Sequence, residues 1–370
     1  MRVGAAGRRR ARIPSSKPVR DAVQRIVTVV GARPQFIKAA PVSQALQKVG
    51  MHETLIHTGQ HFDALMSDVF FAELGIPEPA RNLEVAGLSH GAMTGRMLER
   101  LEVAFAELQP ALVMIYGDTN STLAGALAAA KLHIPVAHVE AGLRSFNRTM
   151  PEEINRVIAD HLSTLLFCPT AVAIKNLAAE GIKNGVHATG DVMHDATLAG
   201  IQHAKDTSSI LSTLRLKPRT YAVATIHRAE NTDDIGRFTQ IVRWLEAAAV
   251  NLPVIWPVHP RARSILAKYS LMLKDMQLIE PLGYLDMIWL VHNAAAIYTD
   301  SGGLQKEAYF HRVPCVTLRD ETEWVETIEA GWNRLWTVAH YAPRREISDY
   351  GDGDAARRIA EIISTELRSA

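Results

Sequence analysis

The chain has 370 residues, 48% of them hydrophobic and 21% charged, an ordinary globular composition with length enough for two domains. No run approaches the roughly 20 apolar residues of a membrane span, so the expectation is a soluble chain with no membrane partner. The two cysteines, Cys168 and Cys315, sit beside apolar runs without disulfide or metal-ligand spacing, and both read as buried thiols of a cytoplasmic protein.

The formal charge of +1 conceals an uneven distribution. Residues 1–21 hold seven basic side chains (Arg2, Arg8, Arg9, Arg10, Arg12, Lys17 and Arg20) and one acid, leaving 33 basic against 38 acidic residues in the remainder. With Gly4, Gly7, Pro14 and Pro18 and no periodicity, residues 1–22 read as a disordered basic extension. No apolar segment follows the arginines, so the head lacks the form of a secretion signal. Nothing further along the chain supports a nucleic-acid partner.

From Arg25 the chain settles into short β-branched runs, small-residue turns and helical stretches. RIVTVVGARPQFIKAAPVSQALQKVG predicts strand, glycine turn and helix. ETLIHTGQHFD predicts a strand with a helix after it, and ALVMIYGDTNSTLAGALAAAKLHIPVAHVEAG predicts strand, turn, Ala-rich helix and strand. Near residues 190–220 the pattern restarts. RTYAVATIHRAENTD, LPVIWPVHP, MQLIEP, AAAIYTDSGGLQKEAYFHRVPCVTL and GWNRLWTV supply a second set of strands or strand–helix units. The fold class is therefore α/β, with two Rossmann-like domains at residues 23–190 and 191–353, each a parallel sheet covered by helices on both faces. Ligands of such sheets bind beyond the carboxyl ends of the strands, so two facing halves define a central cleft.

The polar motifs fall just after predicted strands. GARPQFIK places Arg33 and Lys38 five residues apart at a helix start, a planar fork and a point charge suited to a diphosphate, or plain surface cations. Asp118 in YGDTNST follows a strand and either faces the cleft or caps the helix beginning at Thr119–Thr122. Glu140 in HVEAGLRS follows a buried run and continues into a loop, with no capping role to occupy it. In MPEEINR, Glu152 and Glu153 are ambiguous, since two acids at a helix start are ordinary. His227 stands after YAVATI at the cleft edge of the second half, and His259 in PVHPR occupies a similar place among prolines and arginines. In TDSGGLQKEA, Tyr298 ends a strand and Ser301, Gly302 and Gly303 precede a helix. That turn offers backbone N–H groups and a helix dipole to a phosphate, and Glu307 lies where a carboxylate accepts from ribose hydroxyls.

GARPQFIKAAPV, TGQH, GDTNSTLAGALAA, HVEAGLRS, PEEINR, TIHRAEN, PVHP and TDSGGLQKEA, in that order, resemble the signature blocks of the non-hydrolysing UDP-N-acetylglucosamine 2-epimerases, from about Arg25 to the C-terminus. The resemblance implies a glycosyltransferase-B-like pair of Rossmann-like domains, a homodimer, no cofactor and no metal. It implies a C-terminal helix, about 354–370, that packs back on the N-terminal domain. The implied catalytic residues are Asp118, Glu140, Glu152 and His227. The implied substrate-binding residues are Arg33, Lys38, Arg156, Tyr284, Ser301, Gly302, Gly303, Glu307 and Arg319, with Arg156 supporting the acids, Tyr284 near uracil and His227 also at the diphosphate.

The implied activity is reversible inversion at C2 of a UDP-linked amino sugar, UDP-GlcNAc to UDP-ManNAc. Two departures bear on it. Phe62 follows TGQH where many members carry an Arg belonging to the substrate-activation site. RDETEWVE, with Trp324, replaces Thr-Glu-Arg-Pro-Glu. With RPQFIKAAPVS, MSDVFF and SFNRTMPEEINR, the second departure resembles the branch acting on UDP-2,3-diacetamido-2,3-dideoxyglucuronate. A glycosyltransferase of the same fold would share the SGG turn and Glu307, yet needs an acceptor site and no C2 base.

Overall fold

The structure, a computed structural model, describes residues 25–60, 76–269, 273 and 276–369. The basic extension at 1–22 and Phe62 lie outside the described residues.

The first lobe is built on a seven-stranded parallel sheet. Its strands are β1 (Arg25–Val30), β2 (His52–His57), β3 (Arg81–Asn82), β4 (Leu112–Tyr116), β5 (Val136–Val139), β6 (Leu165–Cys168) and β7 (Val186–Ala188), in the order β3-β2-β1-β4-β5-β6-β7. Side chains of a strand point alternately to opposite faces. Accordingly Ile26 and Val30 of β1 with Leu112, Met114 and Tyr116 of β4 enter one core, and Val27 and Val29 with Val113 and Ile115 enter another. Both faces are covered by helices, which is why these strands read as continuous apolar runs.

The second lobe repeats the plan with six parallel strands: β8 (Ala222–Thr225), β9 (Val254–Pro257), β10 (Met276–Ile279), β11 (Ala296–Thr299), β12 (Cys315–Thr317) and β13 (Asn333–Leu335), ordered β10-β9-β8-β11-β12-β13. β11 runs one residue past the expected end at Tyr298, because Thr299 stays in register with Thr225 and Thr317. Ser301 is then the N-cap of the helix Gly302–Phe310, its hydroxyl accepting from the Leu304 N–H at 3.4 Å.

Both sheets reverse strand order at one point, between β1 and β4 and between β8 and β11. Crevices form beyond the carboxyl ends of strands at such points. The segments leaving these strands are 31–38, 117–118, 226–227 and 300–303.

The C-terminal helix Ala355–Ser369 belongs to the first lobe's core. Ile359, Ala360 and Ile363 are fully buried with Ile26, Val30 and Leu46. The helix Val192–Thr207 connects the lobes and lies against an aromatic layer that includes Tyr284, Tyr309, Phe310, Trp324 and Tyr350. Cys168 and Cys315 are buried free thiols, and burial pushes both thiol pKa values up, that of Cys168 to about 12. Among the described residues no helix is long and apolar enough to cross a membrane.

Candidate active site

A cavity of about 780 Å³ opens between the carboxyl ends of the two sheets. Asp118, Glu140, Glu152, Lys38 and Arg156 line it from the first lobe, and His227, Tyr284, Ser301, Gly302, Gly303 and Glu307 from the second. Arg33 lines it as well, at the N-terminus of the helix Arg33–Lys48.

Asp118 leaves β4 through Gly117, whose φ of +60° suits glycine. A side chain at Gly117 would also stand 3.3 Å from Glu140 Oε2. The cap of the next helix, Asn120–Lys131, is Thr119, whose hydroxyl accepts from the Thr122 N–H at 3.3 Å. The capping role considered for Asp118 thus belongs to its neighbour, and the Asp118 carboxylate pairs with Arg156 in the cleft. Desolvation between the lobes pushes the Asp118 carboxyl above the usual carboxylate range, Arg156 opposing it and the Glu140 charge adding to it.

The helix Pro151–Leu162 separates the two acids of PEEINR. Glu152 is exposed and lines the cavity. Glu153 is buried and accepts from the Ser145 N–H (2.8 Å), the Ser145 hydroxyl (2.9 Å) and the Phe146 N–H (3.0 Å), so it organises a loop. One turn on, Asn155 donates to the Asp118 carbonyl at 2.9 Å and Arg156 holds the Asp118 side chain.

Glu140 takes φ +70°, a strained left-handed conformation for a non-glycine residue. Its carboxylate is gripped by Lys38 at one oxygen and by Lys306 at the other, the latter at 3.0 Å. Burial alone would raise its pKa, but the two ammonium groups hold it down to about 2. Behind this wall His138 lies with Nε2 2.7 Å from the Gly117 carbonyl and Nδ1 2.7 Å from Asp160. Asp160 also accepts from the Gly142 N–H and from Arg144. One buried network therefore ties together the loops that carry Asp118 and Glu140.

On the second lobe, His227 keeps 43% of its side chain exposed, with Nδ1 3.1 Å from Asp300. Asp300 is fully buried and also accepts from the backbone N–H groups of His227 and Arg228 and from Asn231. Burial works against its ionisation, and the bonds from His227, Arg228 and Asn231 win, keeping its carboxyl low. The His259 ring lies 6.0 Å from that of His227, and its pKa is lowered by desolvation and by His227. At Gly302 an added Cβ would meet Glu323 Oε1 at 2.3 Å, so a side chain there would have to displace the Glu323 carboxylate. Desolvation raises Glu307, with Lys306 and Arg33 opposing.

Arg319, expected among the UDP contacts, is not in the cavity lining. It is buried, with Nε 3.1 Å from Glu230 and Nη1 2.8 Å from Glu323. Its charge is spent on these two carboxylates, both of which do line the cavity. Lys306, Asp300 and the His138–Asp160–Arg144 network are not among the residues expected from sequence. The signal for Asp300 was a carboxylate directly after a strand, and for Lys306 a charge within the otherwise apolar face of LQKEAYF. Among the described residues no group of three or more His, Cys, Asp or Glu is disposed to hold a metal ion.

Residues 44–364 match the family model described as UDP-N-acetylglucosamine 2-epimerase. The chain belongs to the UDP-N-acetylglucosamine 2-epimerase family. This family member is 48% identical over 357 residues to UDP-2,3-diacetamido-2,3-dideoxy-D-glucuronate 2-epimerase of Pseudomonas aeruginosa, covering 92% of this chain and 99% of that one. It is 43% identical over 357 residues to UDP-N-acetylglucosamine 2-epimerase of Methanocaldococcus jannaschii, covering 91% and 98%. The crystal structure of the M. jannaschii UDP-GlcNAc 2-epimerase in complex with UDP-GlcNAc and UDP superposes with a TM-score of 0.82 at 39% identity, over 92% of this chain and 99% of that one. The UDP-GlcNAc 2-epimerase from Neisseria meningitidis bound to UDP-GlcNAc gives 0.83 at 28% identity, over 92% and 100%. This epimerase-family chain thus has the two-lobed, glycosyltransferase-B-like architecture of those enzymes.

Proposed function

We propose that the chain is an isomerase that reversibly inverts C2 of a UDP-linked N-acetylated amino sugar, interconverting UDP-GlcNAc and UDP-ManNAc. One observation carries the reading: a single cavity has Asp118, Glu140 and Glu152 on one wall and the Ser301–Gly303 helix start on the other, with Arg33 and Lys38 beside them.

The chemistry needs both walls. No carbonyl flanks the C2 proton of an acetamido sugar, so simple deprotonation is too costly. Loss of that proton with departure of UDP from C1 moves the C–H electron pair into a C1=C2 bond and gives a 2-acetamidoglucal. Protonation at C2 from the opposite face and re-addition of UDP at C1 complete the inversion. The cations and the helix start hold the departed diphosphate, and His227 stands at the same end. Asp118 and Glu152 serve as acid and base, with Glu140 as a fixed charge facing the positive character at C1. Tyr284 and Glu307 are assigned to the nucleoside, with Arg319 acting through Glu230 and Glu323. The chemistry asks for no cofactor.

The same reading takes residues 23–190 with the C-terminal helix as the carboxylate-bearing domain and 191–353 as the UDP-binding domain. It takes the protein as a cytoplasmic homodimer serving polysaccharide biosynthesis. A second substrate, UDP-2,3-diacetamido-2,3-dideoxyglucuronate, is favoured by the 48% identity to the Pseudomonas aeruginosa enzyme of that name and by Trp324 in the cavity wall.

Incubation with each UDP-sugar in deuterated water, followed by anomeric NMR, tests the proposal. Deuterium at C2 and appearance of the manno epimer are expected with at least one of them. An unlabelled sugar in both cases overturns epimerisation and points to a transferase, and release of free N-acetylmannosamine points to a hydrolysing enzyme.

A further inference from the structure

Lys306 sits in the helix whose first residues form the glycine turn, next to Glu307, yet its side chain is only 1% exposed. Complete burial of a lysine is uncommon and requires partners. Three elements supply them. Its ammonium lies 3.0 Å from Glu140 Oε1 at the end of β5 and pairs with Asp191, the N-cap of the helix Val192–Thr207 that connects the lobes. It also stands 4.2 Å from the centre of the Trp324 ring. Lys38 takes the other Glu140 oxygen. Glu140 is therefore held from both lobes at once, with one cation on each oxygen, and the second-lobe cation rides on the helix that faces the diphosphate.

We propose that Lys306 is a positioning residue of the reaction: from the nucleotide-binding helix it crosses the cleft and fixes the Glu140 carboxylate toward the sugar, so that the two walls keep one register while UDP is detached. The inference rests on the epimerase reading above. A carboxylate held by one ammonium is free to rotate and is easier to protonate than one held by two. The other charged groups around this pair are Arg33 and Lys38 from the helix Arg33–Lys48, Asp118 after β4, Asp191, Glu307, and Glu326 from the helix Val325–Glu329. Of these, Lys38 is the cation that remains on Glu140 when Lys306 is removed.

The test compares Lys306→Met and Lys306→Arg with wild type by three readouts: UDP affinity by calorimetry, the rate of C2 exchange, and pH titration of the Glu140 carboxyl by carbon NMR, assigned with Glu140→Gln. Lys306→Met is expected to bind UDP within about threefold of wild type and to lose roughly 50-fold or more in kcat, because Glu140 is then held by Lys38 alone. Its Glu140 carboxyl should titrate above about pH 4, where the wild-type group is silent. Lys306→Arg, which keeps the charge, should keep the wild-type titration and recover part of the rate.

Wild-type kcat in Lys306→Met overturns the proposal, as does a Glu140 titration that Lys306→Met leaves unmoved. Should Lys306→Met fail to fold, Lys306→Arg decides: a rate at least roughly 50-fold below wild type with Glu140 still titrating as in wild type also overturns it. Absence of C2 exchange in wild type with either sugar, alongside the predicted titrations, overturns the epimerase reading and leaves the positioning of Glu140 standing.

Discussion

Asp118 and Thr119 are adjacent, and the sequence leaves open which of them caps the helix that follows. The hydroxyl of Thr119 reaches the Thr122 N–H, and that contact releases the Asp118 carboxylate into the cleft beside Arg156. Asp118→Asn or Glu140→Gln should lower kcat by roughly a thousandfold while UDP affinity persists, because the proposed reaction puts proton handling and charge stabilisation on the wall opposite the helix start. Stopped assays with parallel calorimetry check this, and a wild-type rate in either variant removes that residue from the mechanism. The paired acids of PEEINR give a sharper contrast. Glu152→Gln should cost rate and leave stability unchanged, whereas Glu153→Gln should cost about 1–3 kcal/mol of stability, because it weakens three hydrogen bonds to the 145–146 loop. Urea unfolding of the two variants separates them. On residue pattern alone Glu152 and Glu153 are indistinguishable, since both are acids at a helix start, and it is the family resemblance that singles out Glu152. The helix's rotation against the 145–146 loop turns Glu152 to the cavity and Glu153 to the loop. Lys306 was less legible still, since its partner Glu140 is 166 residues away in the chain.

The elements themselves were largely legible. Strands buried on both faces carry apolar runs that need no tertiary information to recognise, and β1, β4, β8 and β11 all end in the Gly, Asp, His or Ser motifs that reach the cavity. The two-residue β3 and the three-residue β7 are too short to leave a period in sequence, whereas β13 falls within the expected run GWNRLWTV. The C-terminal helix shows how an element far along the chain completes an early core. Asp195 accepts from the Ala355 and Ala356 N–H groups and fixes the helix start, and Ile359 is then fully buried against the first lobe. Ile359→Ala should cost about 2–5 kcal/mol, read from the denaturation midpoint, as for other cavity-forming changes in a packed core. A loss below about 0.5 kcal/mol would mean that this helix is not part of the core.

At the scale of the molecule, acid sensitivity follows from groups buried uncharged. Burial, with His292 and Arg219 adding positive charge nearby, pushes the imidazole of His311 down to about 3. Its pKa in the folded state lies below the unfolded value, so its contribution to stability is full above about pH 6.5 and falls as the unfolded chain takes up the proton on acidification. Between pH 7.5 and 5.5 wild type should lose about 1.4 kcal/mol more than a His311→Asn variant. Equal losses would show that His311 is not desolvated in the folded protein.

The proposed reaction requires both lobes to act on one substrate, and its central claim is that UDP leaves C1 within the cavity between them and returns to the same ring. The measurement that tests this most directly places an isotopic oxygen label in the bridge between C1 and the diphosphate and follows its position during turnover in deuterated water. The account predicts that the label scrambles to the non-bridging positions of the β-phosphate in molecules that have also gained deuterium at C2. Deuterium at C2 with the bridge label fully retained would contradict it.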